Sequence, residues 1–400
     1  MSSIIIYQPN EPLGKQGGME RATHQLACLL RDEGHRIMLL CREKNRLGEH
    51  YETPVPLTFI PPNLNKEEEG KFVNNLISRE NAKVIIDQTE GGIIGRWGIF
   101  STRREIQSSS LKLIAVQHSS QYSYLKYYRL IQKKSFSGSF TGRIKSMIYH
   151  GLYLGMKKCR AQLLQKTLFQ NLISNYDRIV TLSKGAVTEF RLLCPQASAS
   201  QFAVIPNSIT LLPQHKPIQK ERRCLFVGRL DNKAKGIDRL LRIWKSVEEK
   251  NSNWHLDIVG DGQDAAWLQD MARNLRLNNV SFEGFQQPKS YYDRSSLFCM
   301  TSTFEGFGMV LIEAMQHGCI PIAFDSYPAV RDIIIPGKTG ELIQPFDESE
   351  YINKIIALFE NQERLSSMAE NAVHHVSRFS DKTVATAWNH VIQDLVKEKN

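Results

Sequence analysis

Short apolar blocks punctuate the chain, and the stretches between them are polar or amphipathic. Ile4-Ile5-Ile6-Tyr7 is the first block and predicts a buried strand. A turn-rich loop from Pro9 to Gly18 follows, then a helix expected from Glu20 to Glu33, closed by Gly34-His35. Arg36-Ile37-Met38-Leu39-Leu40-Cys41 is the next strand, so the opening reads as a βαβ unit. Its Gly17 and Gly18 let a ligand approach the backbone closely, although the GxGxxG spacing of a dinucleotide site is lacking. Further strands are expected at Leu57 to Ile60, Val84 to Asp87, Leu113 to Val116 and Ile179 to Leu182, with helices between them. Such alternation predicts a parallel, doubly wound sheet, in which ligands gather at the carboxyl ends of strands. His118 stands at one such end, where a lone histidine serves either the fold or a ligand.

A second alternation begins after the strand expected at Phe202 to Asn207 and a polar, proline-bearing loop from Thr210 to Arg222. Its strands are expected at Cys224 to Gly228, Trp254 to Val259, Val280 to Gly284, Leu297 to Met300, Ile320 to Phe324 and Gly340 to Ile343. Asp381 to Lys397 reads as one helix with Trp388, Val391 and Leu395 on one face. The expected class is α/β, with two Rossmann-like doubly wound domains facing a central cleft. The expected division is 1–200 and 201–378, with 379–400 a helix packing back on the first domain.

The fourth strand of this second set runs into Phe304-Glu305-Gly306-Phe307-Gly308-Met309-Val310-Leu311-Ile312-Glu313-Ala314-Met315. Two glycines open a helix there, and the N–H groups and dipole of a helix start suit an anion. Glu305 precedes the helix and Glu313 lies within it, so two carboxylates stand ready for sugar hydroxyls. The loop Arg229-Leu230-Asp231-Asn232-Lys233-Ala234-Lys235-Gly236 follows the first strand of the set. Arg229 offers a planar fork of donors and Lys235 a mobile point charge, a pair that matches a diphosphate. Taken singly, each of these side chains is an ordinary solvated charge.

Composition changes this picture in two respects. The net charge of +10 is uneven: residues 1–200 carry 28 Lys/Arg against 16 Asp/Glu, and residues 201–400 carry 23 against 25. Residues 106–176 hold eleven Lys/Arg, no acid and eight aromatics between Tyr122 and Tyr153 that include Phe136 and Phe140. Met147, Ile148 and Leu152 fall at helical spacing among Arg143, Lys145, Lys157, Lys158 and Arg160. That pattern suits an anionic membrane surface, the alternative being a solvated basic face over a buried seam. The seven cysteines are scattered without a CxxC pair, which argues for reduced thiols in the cytoplasm and against a zinc site. No apolar run reaches the length of a spanning helix, and Met1-Ser2-Ser3 lacks the basic region of a signal peptide.

Five blocks together resemble the retaining glycosyltransferases of family 4, the group 1 type with the GT-B fold. They are Gly17-Gly18-Met19-Glu20-Arg21; Ile205-Pro206-Asn207-Ser208; Val227-Gly228-Arg229-Leu230 with Lys235-Gly236; Val259-Gly260-Asp261-Gly262; and Glu305 to Glu313 with its Glu-x7-Glu spacing. The resemblance implies transfer of a sugar from a nucleotide-sugar, most simply UDP-linked, to a glycan or lipid-linked glycan in surface polysaccharide synthesis. It implies that Glu313 holds the ribose hydroxyls, that Glu305 lies at the donor sugar, and that Arg229 and Lys235 grip the diphosphate. It places Gly262 and the amides of Phe307, Gly308, Met309 and Val310 near the donor, with Gly17 and Gly18 facing the diphosphate. His118 matches a histidine near a sugar hydroxyl. Asn207-Ser208-Ile209-Thr210 departs from the usual Asn-Gly-Val-Asp. No Asp-x-Asp stands beside the donor motif, so no metal or other cofactor is expected. An epimerase of nucleotide-sugars on the same architecture, or a non-catalytic polyanion-binding protein, are the competing readings. No nucleic-acid motif is present beyond charge and aromatics.

Overall fold

A computed structural model describes residues 1–12, 18–44, 53–95, 98–132, 149, 153–212 and 220–397. The first part of the chain runs β1 (Ser3–Tyr7), α1 (Gly18–Asp32), β2 (Arg36–Cys41), β3 (Leu57–Phe59), α2 (Lys66–Arg79), β4 (Val84–Asp87) and β5 (Lys112–Gln117). The short helices α3 (Gln121–Lys126) and α4 (Tyr128–Ile131) follow, then α5 (Leu154–Asn175), β6 (Arg178–Thr181), α6 (Lys184–Leu193) and β7 (Phe202–Val204). The remainder runs β8 (Glu221–Val227), α7 (Asn232–Lys235), α8 (Ile237–Lys250), β9 (His255–Val259), α9 (Ala265–Asn274), β10 (Val280–Gly284) and α10 (Lys289–Arg294). It continues through β11 (Ser295–Met300), α11 (Met309–Gln316), β12 (Ile320–Phe324), α12 (Val330–Ile333), β13 (Glu341–Ile343), α13 (Glu348–Phe359), α14 (Gln362–Val376) and α15 (Asp381–Lys397).

These elements form two compact units. The first comprises Met1–Ser119, Gln162–Ser208 and Phe379–Asn400, the second Ser120–Ala161 and Ile209–Arg378. In the first, seven strands lie in the order β3-β2-β1-β4-β5-β6-β7, each pairing parallel. Ile4, Ile5 and Ile6 are fully buried, as a strand covered on both faces requires. In α1, Leu26, Ala27, Leu29 and Leu30 form the inward stripe, and α15 packs against this helix. Gln25 Nε2 donates to Asp381 Oδ1 at 2.8 Å, and His35 Nε2 meets Asn389 Oδ1 at 2.7 Å. The buried residues of α15 include Trp388 and Leu395 as expected, with Ile392 in place of Val391, which is half-buried.

In the second unit, six strands lie in the order β10-β9-β8-β11-β12-β13, again all parallel. α8 buries Ile237, Leu240, Leu241, Trp244 and Val247 against this sheet. In both sheets the winding direction reverses once, between β1 and β4 and between β8 and β11. A crevice opens at such a reversal, at the carboxyl ends of the two strands.

The units part elsewhere than at 200/201. β7 hydrogen-bonds to β6 and completes the first sheet, so the first unit runs on to Ser208. Residues 120–161 join the second unit, where Tyr124 meets Phe304 edge-on at 5.5 Å and Tyr127 meets Phe346 at 4.9 Å. The expected seam of Met147, Ile148 and Leu152 lies outside the described residues. Among the described residues, no helix is long and apolar enough to cross a membrane.

Candidate functional site

The reversal in the second unit is built from the loops that follow β8, β9 and β11. Two of them are welded through their backbones. Gly228 N donates to Val259 O at 3.0 Å, Leu230 N to Asp261 O at 2.9 Å, and Asp264 N to Leu230 O at 3.1 Å. A Cβ on Gly260 would sit 1.9 Å from Gly228 O, and one on Gly262 2.6 Å from Leu230 O. Packing of loop on loop therefore accounts for glycine at 262 without a ligand.

The corner at Lys235-Gly236 is tied in turn to the loop after β11. Gly236 takes a left-handed conformation, φ +60°, and its Cβ would meet Thr301 O at 2.5 Å. Thr301 Oγ1 donates to the carbonyls of Lys235 and Gly236 at 3.1 and 2.9 Å, and Thr303 N donates to Ala234 O at 2.7 Å. The consequence is that Lys235 Nζ lies 2.5 Å from Glu305 Oε1, with Ser302 Oγ donating to the same oxygen at 2.7 Å. Both ionic side chains are mostly buried, 19% and 14% exposed. Two residues expected at the site from separate motifs are thus in direct contact.

α11 starts at Gly308, whose φ of +93° is left-handed and whose Cβ would lie 2.5 Å from the Tyr327 hydroxyl. Phe307 is buried, while Met309 and Val310 are half-buried. Tyr327 is itself buried, which raises its pKa, and the Glu305 charge raises it further. One helical turn on, Glu313 is buried and accepts from the Tyr292 hydroxyl at 3.1 Å.

Behind Tyr292 is a polar layer that no motif or periodicity announces. Its ring stacks on His317 at 5.6 Å, and His317 Nδ1 meets Asp293 Oδ1 at 2.5 Å. Lys220 Nζ donates to the carbonyls of Tyr292, Asp293 and His317 at 2.9, 2.9 and 2.6 Å. Burial lowers the Lys220 pKa, and the three carbonyls supply the hydrogen bonds that a buried ammonium requires. Tyr292 precedes Glu313 by 21 residues, and only the β11 crossover brings them together. No periodicity or spacing signals that contact.

Arg229 belongs to the same loop as Lys235. Arg229 is 74% exposed and its recorded partner is Asp231, at 3.5 Å. In the first unit, Gly18 opens α1, and a Cβ there would meet nothing within 4 Å among the described residues, whereas Gly17 lies outside them. His118 follows β5 and its Nε2 contacts Gln88 Oε1. Burial pushes the His118 pKa down to about 4, which makes the imidazole neutral at pH 7. With Gln88, Asn207, Ser208 and Trp388, His118 lines a small pocket of this unit.

Residues 208–375 match the family model of the glycosyl transferases group 1. This segment contains Arg229, Lys235, Gly262, Glu305 and Glu313. An uncharacterized glycosyltransferase of Haemophilus influenzae is 28% identical over 231 residues, 55% of this chain and 62% of its own length. The lipopolysaccharide 1,6-galactosyltransferase of Salmonella typhimurium is 30% identical over 197 residues, 46% of this chain and 54% of its own length. The chain thus spans little more than half the length of these curated relatives. The Anabaena protein Alr3699/HepE, solved in complex with UDP and glucose, superposes with a TM-score of 0.72 at 18% identity, covering 98% of this chain and all of its own. That likeness identifies the fold as GT-B.

Proposed function

We propose, from the group 1 match over 208–375, that this chain is a retaining glycosyltransferase acting on a UDP-linked sugar. The acceptor in this reading is a glycan or lipid-linked glycan, and the setting is surface polysaccharide synthesis at the inner face of a membrane. The observation that carries the reading is the contact of Lys235 with Glu305 at the strand reversal, one helix start away from Glu313. The Salmonella relative, by name a lipopolysaccharide galactosyltransferase, and the Anabaena structure with UDP and glucose support the acceptor and donor classes.

In this reading Glu313 accepts the ribose hydroxyls, in the orientation set by Tyr292. Lys235, Arg229 and the amides from Phe307 to Val310 meet the diphosphate. Glycosyl transfer passes through an oxocarbenium-like state. The bond from the anomeric carbon to the diphosphate breaks, and that carbon joins the acceptor oxygen on the same face. The acceptor proton passes to a diphosphate oxygen. Negative charge on the diphosphate grows along this path, so cations fixed beside it lower the barrier. Lys235 is such a cation, held by a mostly buried carboxylate. Glu305 orients the sugar and need form no covalent intermediate. Neutral His118 suits a hydrogen bond to a sugar hydroxyl. The diphosphate is neutralised by side chains and amides, and the reaction is metal-independent.

The decisive experiment is a panel of nucleotide-sugars offered to the purified protein with glycan acceptors. UDP release and a product with the donor's anomeric configuration are expected. Conversion of a UDP-sugar to its epimer without an acceptor would replace this reading by the epimerase.

A further inference from the structure

We propose that Lys220 is a positioning residue for the nucleotide: its ammonium joins the ends of α10 and α11 and thereby holds Tyr292 against Glu313. This placement rests on the reading above that Glu313 accepts ribose hydroxyls. Helix α10 has six residues and α11 has eight, and the last carbonyls of a helix have no partner inside it. At the end of α10, Ser295 N donates to Tyr291 O, and the carbonyls of Tyr292 and Asp293 lie beyond that bond. At the end of α11, Cys319 N and Gly318 N donate to the carbonyls of Ala314 and Met315, and these bonds stop short of the His317 carbonyl. Lys220, the residue before β8, donates to all three left-over carbonyls, those of Tyr292, Asp293 and His317, at 2.9, 2.9 and 2.6 Å. The negative ends of two helices thus meet on one cation. An ammonium has three N–H donors, so this set is complete and Lys220 keeps none for a ligand.

Burying an ammonium is costly, and most helix ends are served by a backbone turn or by water instead. What the lysine adds is a fixed relation between α10 and α11 where their side chains interlock. Glu313 and His317 are four residues apart and so lie on one face of α11. Tyr292 spans that face: its ring stacks on His317 at 5.6 Å, and its hydroxyl donates to Glu313 Oε2 at 3.1 Å. His317 Nδ1 meets Asp293 Oδ1 at 2.5 Å, and Lys289 Nζ donates to Asp293 Oδ2 at 2.8 Å. The Tyr292 bond occupies one lone pair of Glu313 Oε2 and so sets how the carboxylate is turned. A shift of α10 along α11 would turn Glu313 with it. Every link from Lys220 to that carboxylate is a direct contact inside the second unit.

The test is calorimetry on the full chain carrying Lys220→Met, Tyr292→Phe or both, at a temperature where thermal scans show each variant folded. The ligands are UDP and 2′,3′-dideoxy-UDP, which lacks the ribose hydroxyls. Lys220→Met should weaken UDP roughly three- to tenfold, the loss expected for the Tyr292 bond, and move dideoxy-UDP by less than about twofold. In the Tyr292→Phe background the same substitution should weaken UDP by less than about twofold, because the two residues act in series. A lysine that only holds the fold together would weaken both nucleotides alike, with or without the hydroxyl. Lys220→Gln, which keeps N–H donors without the charge, goes through the same comparison in case the methionine variant does not fold. The proposal is overturned if the folded variants bind UDP as the unaltered chain does, if both nucleotides lose alike, if the losses add to that of Tyr292→Phe, or if neither variant folds. Glu313→Ala tells the two failures apart. If it leaves UDP affinity unchanged, the ribose reading falls; if it weakens UDP while the Lys220 variants do not, only the role of Lys220 falls.

Discussion

Lys235 and Glu305, seventy residues apart, meet at 2.5 Å between the carboxyl ends of two adjacent parallel strands, β8 and β11. The pair is mostly shielded from water, so its members are coupled more strongly than a surface ion pair. Lys235→Met and Glu305→Gln are therefore expected to be non-additive in urea denaturation, with a coupling of about 1–2 kcal/mol. Simple additivity would mean that the contact does not exist in solution. For catalysis, Glu305→Gln and Lys235→Met should each lower turnover by roughly 10²-fold while weakening donor binding far less.

Glu313 and Tyr292 separate two contributions to nucleotide affinity. Glu313→Ala removes an ionised acceptor, and each charged hydrogen bond lost costs about 1.5–3 kcal/mol. UDP binding by calorimetry should fall by at least tenfold. Tyr292→Phe keeps the ring on His317 and deletes only the hydroxyl that orients Glu313. A loss of about 0.5–1.5 kcal/mol in UDP affinity with turnover retained is expected. An unchanged affinity in Glu313→Ala would remove this residue from the ribose site.

The glycines sort into two kinds. Gly262→Ala drives a Cβ to 2.6 Å from Leu230 O and should destabilise the fold by about 1–3 kcal/mol whatever binds. Gly18→Ala meets nothing among the described residues and should leave stability equal or slightly higher, since alanine favours a helix start over glycine. A selective loss of donor affinity in Gly18→Ala, with full thermal stability, is the signature of a ligand passing close to that backbone.

His118 makes stability depend on pH. Burial holds its folded pKa at about 4, below the ordinary value of 6.5. Between these values the unfolded chain binds the proton and the folded one does not. The contribution is therefore whole above pH 6.5 and is lost as pH falls toward 4. Its share of the loss from pH 7 to pH 5 is up to about 2 kcal/mol. His118→Asn should lose less stability over that interval than the unaltered chain, by urea titration at each pH.

Transfer should be undiminished in a chelator. A requirement for added divalent cation would show that Lys235 and Arg229 do not suffice at the diphosphate.

Much of the architecture was legible because parallel strands buried on both faces leave solid apolar blocks. The block at Ile4 to Tyr7 and that at Leu297 to Met300 are both strands, each one or two residues longer than the block. Phe202 to Asn207 read as a longer strand than Phe202–Val204, because Pro206 offers no N–H to a ladder and the chain turns away earlier. The meeting of Lys235 with Glu305 was only half legible: each stood in a motif, while their contact depends on strand order. The role of Tyr292 was invisible, since a tyrosine on a six-residue helix has no pattern of its own. Gly262 is ambiguous for a different reason, as a glycine in a phosphate-type loop also serves where two backbones touch.

α15 lies in the first unit, yet about 170 residues of the second separate it from Ser208. At ~5–20 residues per second, a ribosome takes roughly 10–30 s to make that intervening stretch. The earlier-made sheet must wait through this interval with the partner of α1 still unsynthesised. The second unit, continuous from Ile209 to Arg378 apart from its 120–161 segment, is complete before the first. Vectorial synthesis thus inverts the order in which the halves mature. A nascent chain stalled before Asp381 should display a protease-sensitive α1 beside an already resistant second sheet.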